Sequence, residues 1–214
     1  MTLSEVLAHT VPHRLDVLGA FHTDENDDTG PGKTVVLLGP MEPGFWPHIQ
    51  SSSEWQDKAP DPLDRWSARV ISDIADALCA EARFPFTQPA QPFLSWALRT
   101  GRAWSSPVHL FVHDTAGLWV SFRGALVLDG LLDIPAPGPS PCNACFAKPC
   151  LEACPVQALT SEGYDVPACH AFLNTPDGDD CMSKGCAVRR ACPISQTYKR
   201  EANQSAYHME QFHK

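Results

Sequence analysis

Cysteine spacing constrains this chain more than any other feature, because eight of its nine cysteines lie between Cys142 and Cys192. They form two runs, Cys142-x2-Cys145-x4-Cys150-x3-Cys154-Pro155 and Cys169 with Cys181-x4-Cys186-x5-Cys192-Pro193. Thiols at this density either bind metal or form disulfides. Residues 1–20 are interrupted by charged residues and proline, so we expect neither a secretory nor a twin-arginine signal. We therefore expect a cytoplasmic protein, and in such reducing surroundings metal binding is the favoured interpretation.

The spacing favours two [4Fe–4S] clusters. Thiolates are soft, charged ligands that suit iron, and one short loop supplies only three corners of a cubane. In the two-cluster pattern of bacterial ferredoxins, the fourth cysteine, followed by proline, binds the other cluster. Both runs here end in a Cys-Pro step. We therefore predict two crossed ligand sets: Cys142, Cys145, Cys150 and Cys192 for one cluster, and Cys169, Cys181, Cys186 and Cys154 for the other.

Structural zinc and a disulfide framework are the alternatives. Zinc ribbons use paired C-x2-C spacings, and only Cys142 and Cys145 form such a pair. The first run also departs from the bacterial ferredoxin spacing, since four residues separate Cys145 from Cys150 where that pattern has two. Cys79 lies apart, after Leu78 on a predicted apolar helix, and is expected to be a buried, inert thiol.

A proline-rich linker divides the chain. Residues 134–141 contain four prolines and one glycine and end directly before Cys142, which predicts a stiff, extended connection. We expect an α+β domain at residues 1–134 and a small two-cluster domain at 135–214. Apolar runs predict strands at 15–21, 34–38 and 125–128, and a hairpin whose strands 108–112 and 118–122 flank the turn at 114–117. Helices are predicted at 3–9, 62–82 and 93–98.

Composition limits the partners. The formal net charge is −9, which argues against binding to nucleic acid or to an anionic membrane surface, because both need a basic face. No apolar run approaches the ~20 residues that span a bilayer. A redox partner protein, acting as electron donor or acceptor, is the expected macromolecular contact.

The cysteine region resembles the C-terminal ferredoxin module of epoxyqueuosine reductases and of corrinoid reductive dehalogenases. Upstream, Ala97–Trp104 and Gly117–Leu128 are similar to an epoxyqueuosine reductase helix end and hairpin. Gly117–Leu128 and Thr34–Met41, with Asp61 opening the next helix, also resemble the cobalamin-processing (decyanase) proteins. The resemblance covers about residues 34–193. It implies a nitroreductase-like α/β sandwich domain that holds cobalamin, followed by a bacterial-ferredoxin-like domain.

The resemblance has departures. Epoxyqueuosine reductases carry acidic residues before the helix end, whereas Phe86–Ser95 contains none, so the proton donor of that reaction is missing. The Gly-Lys-Asn of that family is Ser106-Pro107-Val108 here.

A second cofactor site is predicted around the hairpin. Aromatic side chains would supply its apolar walls, and nearby polar side chains would orient a ligand. The expected pocket residues are Trp104, Ser105, Ser106, His109, Trp119 and Arg123.

These observations lead to three functional expectations. The first is an iron–sulfur electron-transfer protein that delivers low-potential electrons to a corrinoid, as a cobalamin reductase would, with the acceptor held against the N-terminal domain. The second is a ferredoxin-type carrier whose N-terminal domain only docks a partner. The third is an oxidoreductase with its own small organic substrate, related to epoxyqueuosine reductase.

Overall fold

A computed structural model describes all residues, 1–214, and contains ten α-helices and eight β-strands. The helices are α1 (Leu3–Thr10), α2 (Phe45–Gln50), α3 (Ser53–Gln56), α4 (Pro62–Ala77), α5 (Phe93–Arg99), α6 (Val166–Leu173), α7 (Asp179–Lys184), α8 (Ala187–Ala191), α9 (Pro193–Thr197) and α10 (Ala202–Phe212). The strands are β1 (Leu15–His22), β2 (Lys33–Pro40), β3 (Glu81–Arg83), β4 (Ala103–Ser105), β5 (Phe111–His113), β6 (Gly124–Asp129), β7 (Leu159–Thr160) and β8 (Gly163–Tyr164). The chain is mixed α+β with antiparallel sheets, as the sequence predicts.

The elements divide into two units. The amino-terminal unit comprises residues 1–102 and 121–138, and the cysteine unit comprises residues 103–120 and 139–214. This division differs from the single boundary expected after residue 134, because residues 103–120 group with the cysteines. The reason is apolar burial: Val108, Val112 and Leu118 share one buried core with Cys150 and Cys192.

The amino-terminal unit is built on a four-stranded antiparallel sheet of order β1-β2-β6-β3. Strand β2 lies inside it and is almost continuously buried, as a short apolar run between turn signals predicts. The pairing of β1 with β2 is irregular between Val17 and Gly19. Gly19 has a φ of +139°, and a Cβ there would lie 2.6 Å from Cβ of Thr100. Only glycine fits this irregularity, both by conformation and by space.

Helix α4 packs against β3 and β6. Its buried residues recur at three- and four-residue steps, as an amphipathic helix requires: Leu63, Trp66, Ser67, Val70, Ile71, Ile74 and Ala75. The helix ends at Ala77 rather than near residue 82, because residues 81–83 pair with β6 as the edge strand β3.

Cys79 lies in the turn between α4 and β3. Its φ of +51° turns the chain at the helix end, and its side chain is exposed. The expectation of a buried thiol is therefore wrong.

The predicted pairing of strands 108–112 and 118–122 is wrong, and a different hairpin forms. Strands β4 and β5 pair antiparallel, Ala103 with His113 and Ser105 with Phe111, while residues 118–122 form no strand. The loop between them is closed by a hydrogen bond from the amide of Ser106 to the carbonyl of Leu110 and includes His109 at a φ of +58°. The predicted turn at 114–117 is closed by reciprocal backbone hydrogen bonds between His113 and Gly117.

The rest of the cysteine unit consists of short helices and the two-stranded β7–β8 sheet. Prolines stand in the first turns of α6 and α9 and of the 3₁₀ segments Pro141–Asn143 and Pro149–Leu151, which breaks the chain into brief elements. Helix α10 packs against α7. No helix in the structure combines the length and the apolar character that a membrane crossing requires.

Candidate metal centre

All nine cysteines are free thiols, and the structure contains no disulfide. The eight clustered cysteines separate into two groups of four. The first thiol group is Cys142, Cys145, Cys150 and Cys192, and the second thiol group is Cys154, Cys169, Cys181 and Cys186.

Electrostatic contacts define the first thiol group. Burial raises the pKa of the Cys150 thiol, and the nearby charges of Cys142, Cys192 and Cys145 raise it further. Burial likewise raises the pKa of Cys142, which feels the charges of Cys192 and Cys145. Cys192 therefore lies with three cysteines more than forty residues earlier in the chain.

The second thiol group is defined in the same way. Burial raises the pKa of Cys169, and the charges of Cys154 and Cys181 add to that effect. Cys181 interacts with Cys186, and Cys186 with Cys169, while burial is again the main cause of their raised pKa values. Cys154, the last residue of the first run, therefore lies with the cysteines of the second run.

A cavity of about 240 Å³ adjoins the first thiol group and is lined by all four of its cysteines. Its other walls are mainly apolar and include Val112, Leu118 and Ile194, with Ser106 and Lys148 as polar members. The hairpin of the cysteine unit thus supplies part of the wall of a thiol-lined cavity, which explains why residues 103–120 belong to this unit.

Backbone amides donate hydrogen bonds to sulfurs of the second thiol group. The amide of Ala158 lies 3.2 Å from Sγ of Cys154. At the first turn of α8, the amide of Ala187 donates to Cys181, and the amides of Val188 and Arg189 donate to Cys186. The free N–H groups of a helix start favour negative charge, so the α8 contacts lower the pKa values of Cys181 and Cys186 against the effect of burial.

The side chains of Tyr164 and Arg189 also interact with cysteines of the second thiol group. The Tyr164 hydroxyl lies 3.3 Å from Sγ of Cys169, and burial is the main cause of the raised pKa of Tyr164, with Cys169 contributing further. Arg189 donates to the carbonyl of Leu118 and interacts with Cys186 and Tyr164. Burial lowers the pKa of the Arg189 guanidinium, and the negative charges of Cys186 and Tyr164 oppose that effect.

Aromatic rings hold Tyr164 in place. The ring of Tyr164 stacks on Phe212 of α10, with centroids 6.2 Å apart and planes 16° apart. Phe212 also stacks on His170, at 4.6 Å, and Nδ1 of His170 lies 2.6 Å from Nδ1 of His213. The end of α10 therefore packs against Tyr164 and His170.

The structure shows no group of three or more His, Cys, Asp or Glu side chains arranged to hold a metal ion. A [4Fe–4S] cluster differs from one ion in that each of its four thiolate ligands binds a different iron.

The six predicted pocket residues do not share one face. Ser106 lines the cavity of the first thiol group, Ser105 is exposed, and Trp104 packs against the core of the cysteine unit. Nε2 of His109 lies 2.7 Å from the carbonyl oxygen of Ser161.

The last two residues of that set belong to different units. The ring of Trp119 lies 5.2 Å below the guanidinium of Arg200 in the cysteine unit. Arg123 is in the amino-terminal unit, where its Nη1 lies 3.2 Å from Oδ1 of Asp64.

Sequence reasoning missed Tyr164, Ala158 and Gln204. Tyr164 carries the only available hint, since it precedes Cys169 by five residues. Gln204 of α10 is fully buried, and neither its amide nitrogen nor its amide oxygen has a hydrogen-bond partner. No local motif predicts the roles of Ala158 and Gln204, because their surroundings depend on tertiary packing.

No protein-family model matches the chain, and no curated protein matches its sequence.

Proposed function

We propose that the chain is an iron–sulfur electron-transfer protein that binds two [4Fe–4S] clusters. The first thiol group would hold one cluster and the second thiol group the other. The observation that supports this most is the arrangement of eight thiols in two groups of four, each combining cysteines from both runs of the sequence. Each cluster, when bound, would supply one-electron redox chemistry.

The chemistry of the thiol groups suits such clusters. Burial makes isolated thiolates unfavourable at Cys150, Cys169 and Cys186, as their raised pKa values indicate. Four thiolates in one group therefore need positive charge among them, and bound iron would supply that charge when the thiols lose their protons. The apolar cavity walls exclude water from the first group, and the backbone amides of α8 offset negative charge at the second.

The proposed acceptor is a corrinoid. Its support is the resemblance to corrinoid-linked reductases, together with the mixed α+β fold of the amino-terminal unit, for which we propose a nitroreductase-like architecture. The cysteine unit would then be the ferredoxin-like part, with residues 103–120 included.

A ferredoxin-type electron carrier without its own organic cofactor is the second candidate. The specific observation in its favour is that the predicted pocket residues have other partners. His109 contacts Ser161, Trp119 contacts Arg200, and Arg123 contacts Asp64.

An anaerobic titration tests the function and separates the candidates. Reconstituted protein should accept two electrons per chain from dithionite, one for each cluster. The reduced protein is then mixed with cob(II)alamin and followed by its visible spectrum. Reduction to cob(I)alamin supports the corrinoid reductase, and electron uptake without that reduction supports the carrier. A chain that takes up no electrons contradicts both.

A further inference from the structure

The surroundings of the two thiol groups differ in hydrogen bonding and charge. Both groups contain buried cysteines: Cys150 and Cys192 of the first group are each 8% exposed, and Cys181 of the second is 7% exposed. Solvent exposure is one factor that sets the reduction potential of a cluster. Hydrogen bonds to sulfur and nearby charge are the other factors that set the reduction potential of a cluster.

The second thiol group has the stronger set of donors. Tyr164 donates to Cys169 at 3.3 Å, and the amide of Ala158 donates to Cys154 at 3.2 Å. Arg189 is only partly exposed, and its guanidinium interacts with the charge of Cys186. A cation shielded from solvent acts more strongly on a nearby charge than a solvated one.

The first thiol group has weaker polar neighbours. The hydroxyl of Ser140 contacts Cys142, and Ser106 lines the cavity. The cation on this side, Lys148, is exposed, so water and salt screen its charge.

We propose that Tyr164, together with Arg189, makes the cluster held by the second thiol group the more easily reduced of the two. The inference rests on the proposed function. Reduction adds one negative charge to a cluster, and a donor to a ligating sulfur stabilises that charge. No proton is transferred, because Tyr164 keeps its hydroxyl hydrogen and only donates it. Electrons taken up by the chain therefore reside first at the second thiol group.

Tyr164 suits this role because its ring is fixed independently of its hydroxyl. The stacking of Tyr164 on Phe212 does not involve the oxygen atom. The substitution Tyr164→Phe therefore removes the hydrogen bond to Cys169 and keeps the aromatic contact. Tyr207→Phe is the matched control, since it removes a hydroxyl from α10, where the ring of Tyr207 meets His208 edge-on.

The test is an anaerobic redox titration of the wild-type protein and both variants, followed by electron paramagnetic resonance. We expect two midpoint potentials in the wild type. In Tyr164→Phe the higher potential should move to a more negative value, with the lower one and the iron content unchanged. Tyr207→Phe should leave both potentials in place. Resonance Raman spectra of the oxidised proteins should show the iron–thiolate bands moved only in Tyr164→Phe.

Three results would overturn the inference. These are a shift of the lower potential alone, an equal shift of both potentials, and no shift in a Tyr164→Phe protein that holds its full iron. Each leaves the proposed function standing. Wild-type protein without any cluster signal would instead contradict the proposed function, and the inference with it.

Discussion

The backbone amide of Leu118 donates a hydrogen bond to Oγ of Ser195, 2.9 Å away, across 77 residues of sequence. Ser195 is almost completely buried and lies three residues after Cys192, the last cysteine. Gly117 approaches the same residue so closely that a Cβ would lie 2.4 Å from its amide nitrogen. These contacts attach residues 103–120 to residues 139–214 and explain why both segments belong to the cysteine unit.

The substitution Ser195→Ala should destabilise the cysteine unit by about 1–3 kcal/mol, because it leaves the buried amide of Leu118 without an acceptor. Thermal unfolding under anaerobic conditions measures the effect. Ser183→Ala is the control, since Ser183 is exposed and its hydroxyl only donates to the carbonyl of Asp179 in the same helix. Equal melting temperatures for the two variants would show that the Leu118 contact contributes little.

A buried carboxylate makes the amino-terminal unit sensitive to acid. A hydrogen bond from Arg69, with Nε 2.5 Å from Oε1 of Glu54, lowers the pKa of Glu54 to about 2. A lowered folded-state pKa stabilises the fold above the ordinary pKa of the carboxyl, and this stability is lost as the pH falls towards 2. The pair contributes roughly 2–3 kcal/mol to the free energy of unfolding at pH 7. This figure takes about 1.4 kcal/mol for each pKa unit and is lowered because solvent screens the half-exposed arginine.

Glu54→Gln should therefore be less stable than the wild type at pH 7, with the difference shrinking as the pH falls from 5 to 2. Urea unfolding followed by tryptophan fluorescence measures it. Asp73→Asn is the matched control, because Asp73 is an exposed partner of the same arginine, with Oδ2 3.9 Å from Nη1 of Arg69. A difference between Glu54→Gln and the wild type that does not change with pH would contradict the linkage.

Much of the amino-terminal unit follows from sequence pattern. The apolar runs at 34–38 and 125–128 become β2 and β6, and the three- and four-residue steps after Pro62 become α4. The end of α4 was missed because β3 forms only through pairing with β6, which no local signal announces. The predicted hairpin is wrong because β5 pairs with β4, on the other side of the loop at 106–110, whose left-handed residue is a histidine rather than a glycine.

The thiol sites also combine features that local sequence predicts with features that depend on tertiary packing. Two Cys-Pro steps predict which cysteines lie together, because ligand sets follow from spacing. Arg189 lies between Cys186 and Cys192 in sequence, so its place near the second thiol group follows from spacing. The contact of Tyr164 with Cys169 depends on tertiary packing, which spacing does not predict. The six-residue pocket prediction rested on composition along one segment, and the structure distributes those residues between two units.

Paired substitutions test the crossed ligand sets. Cys154→Ala with Cys181→Ala removes two ligands from the second thiol group, so about four iron atoms should remain at the first. Cys150→Ala with Cys154→Ala removes one ligand from each group and should lower the iron content further. Iron analysis after anaerobic reconstitution distinguishes the pairs. If Cys150→Ala with Cys154→Ala instead retains more iron than Cys154→Ala with Cys181→Ala, then Cys154 binds the same cluster as Cys150.

The most direct test of the central claim is the iron and acid-labile sulfide content of protein purified without oxygen. Two complete thiol groups predict about eight iron atoms and eight sulfides per chain, and the same values for Cys79→Ala, because Cys79 lies outside both groups. Stoichiometric zinc without sulfide would contradict the account.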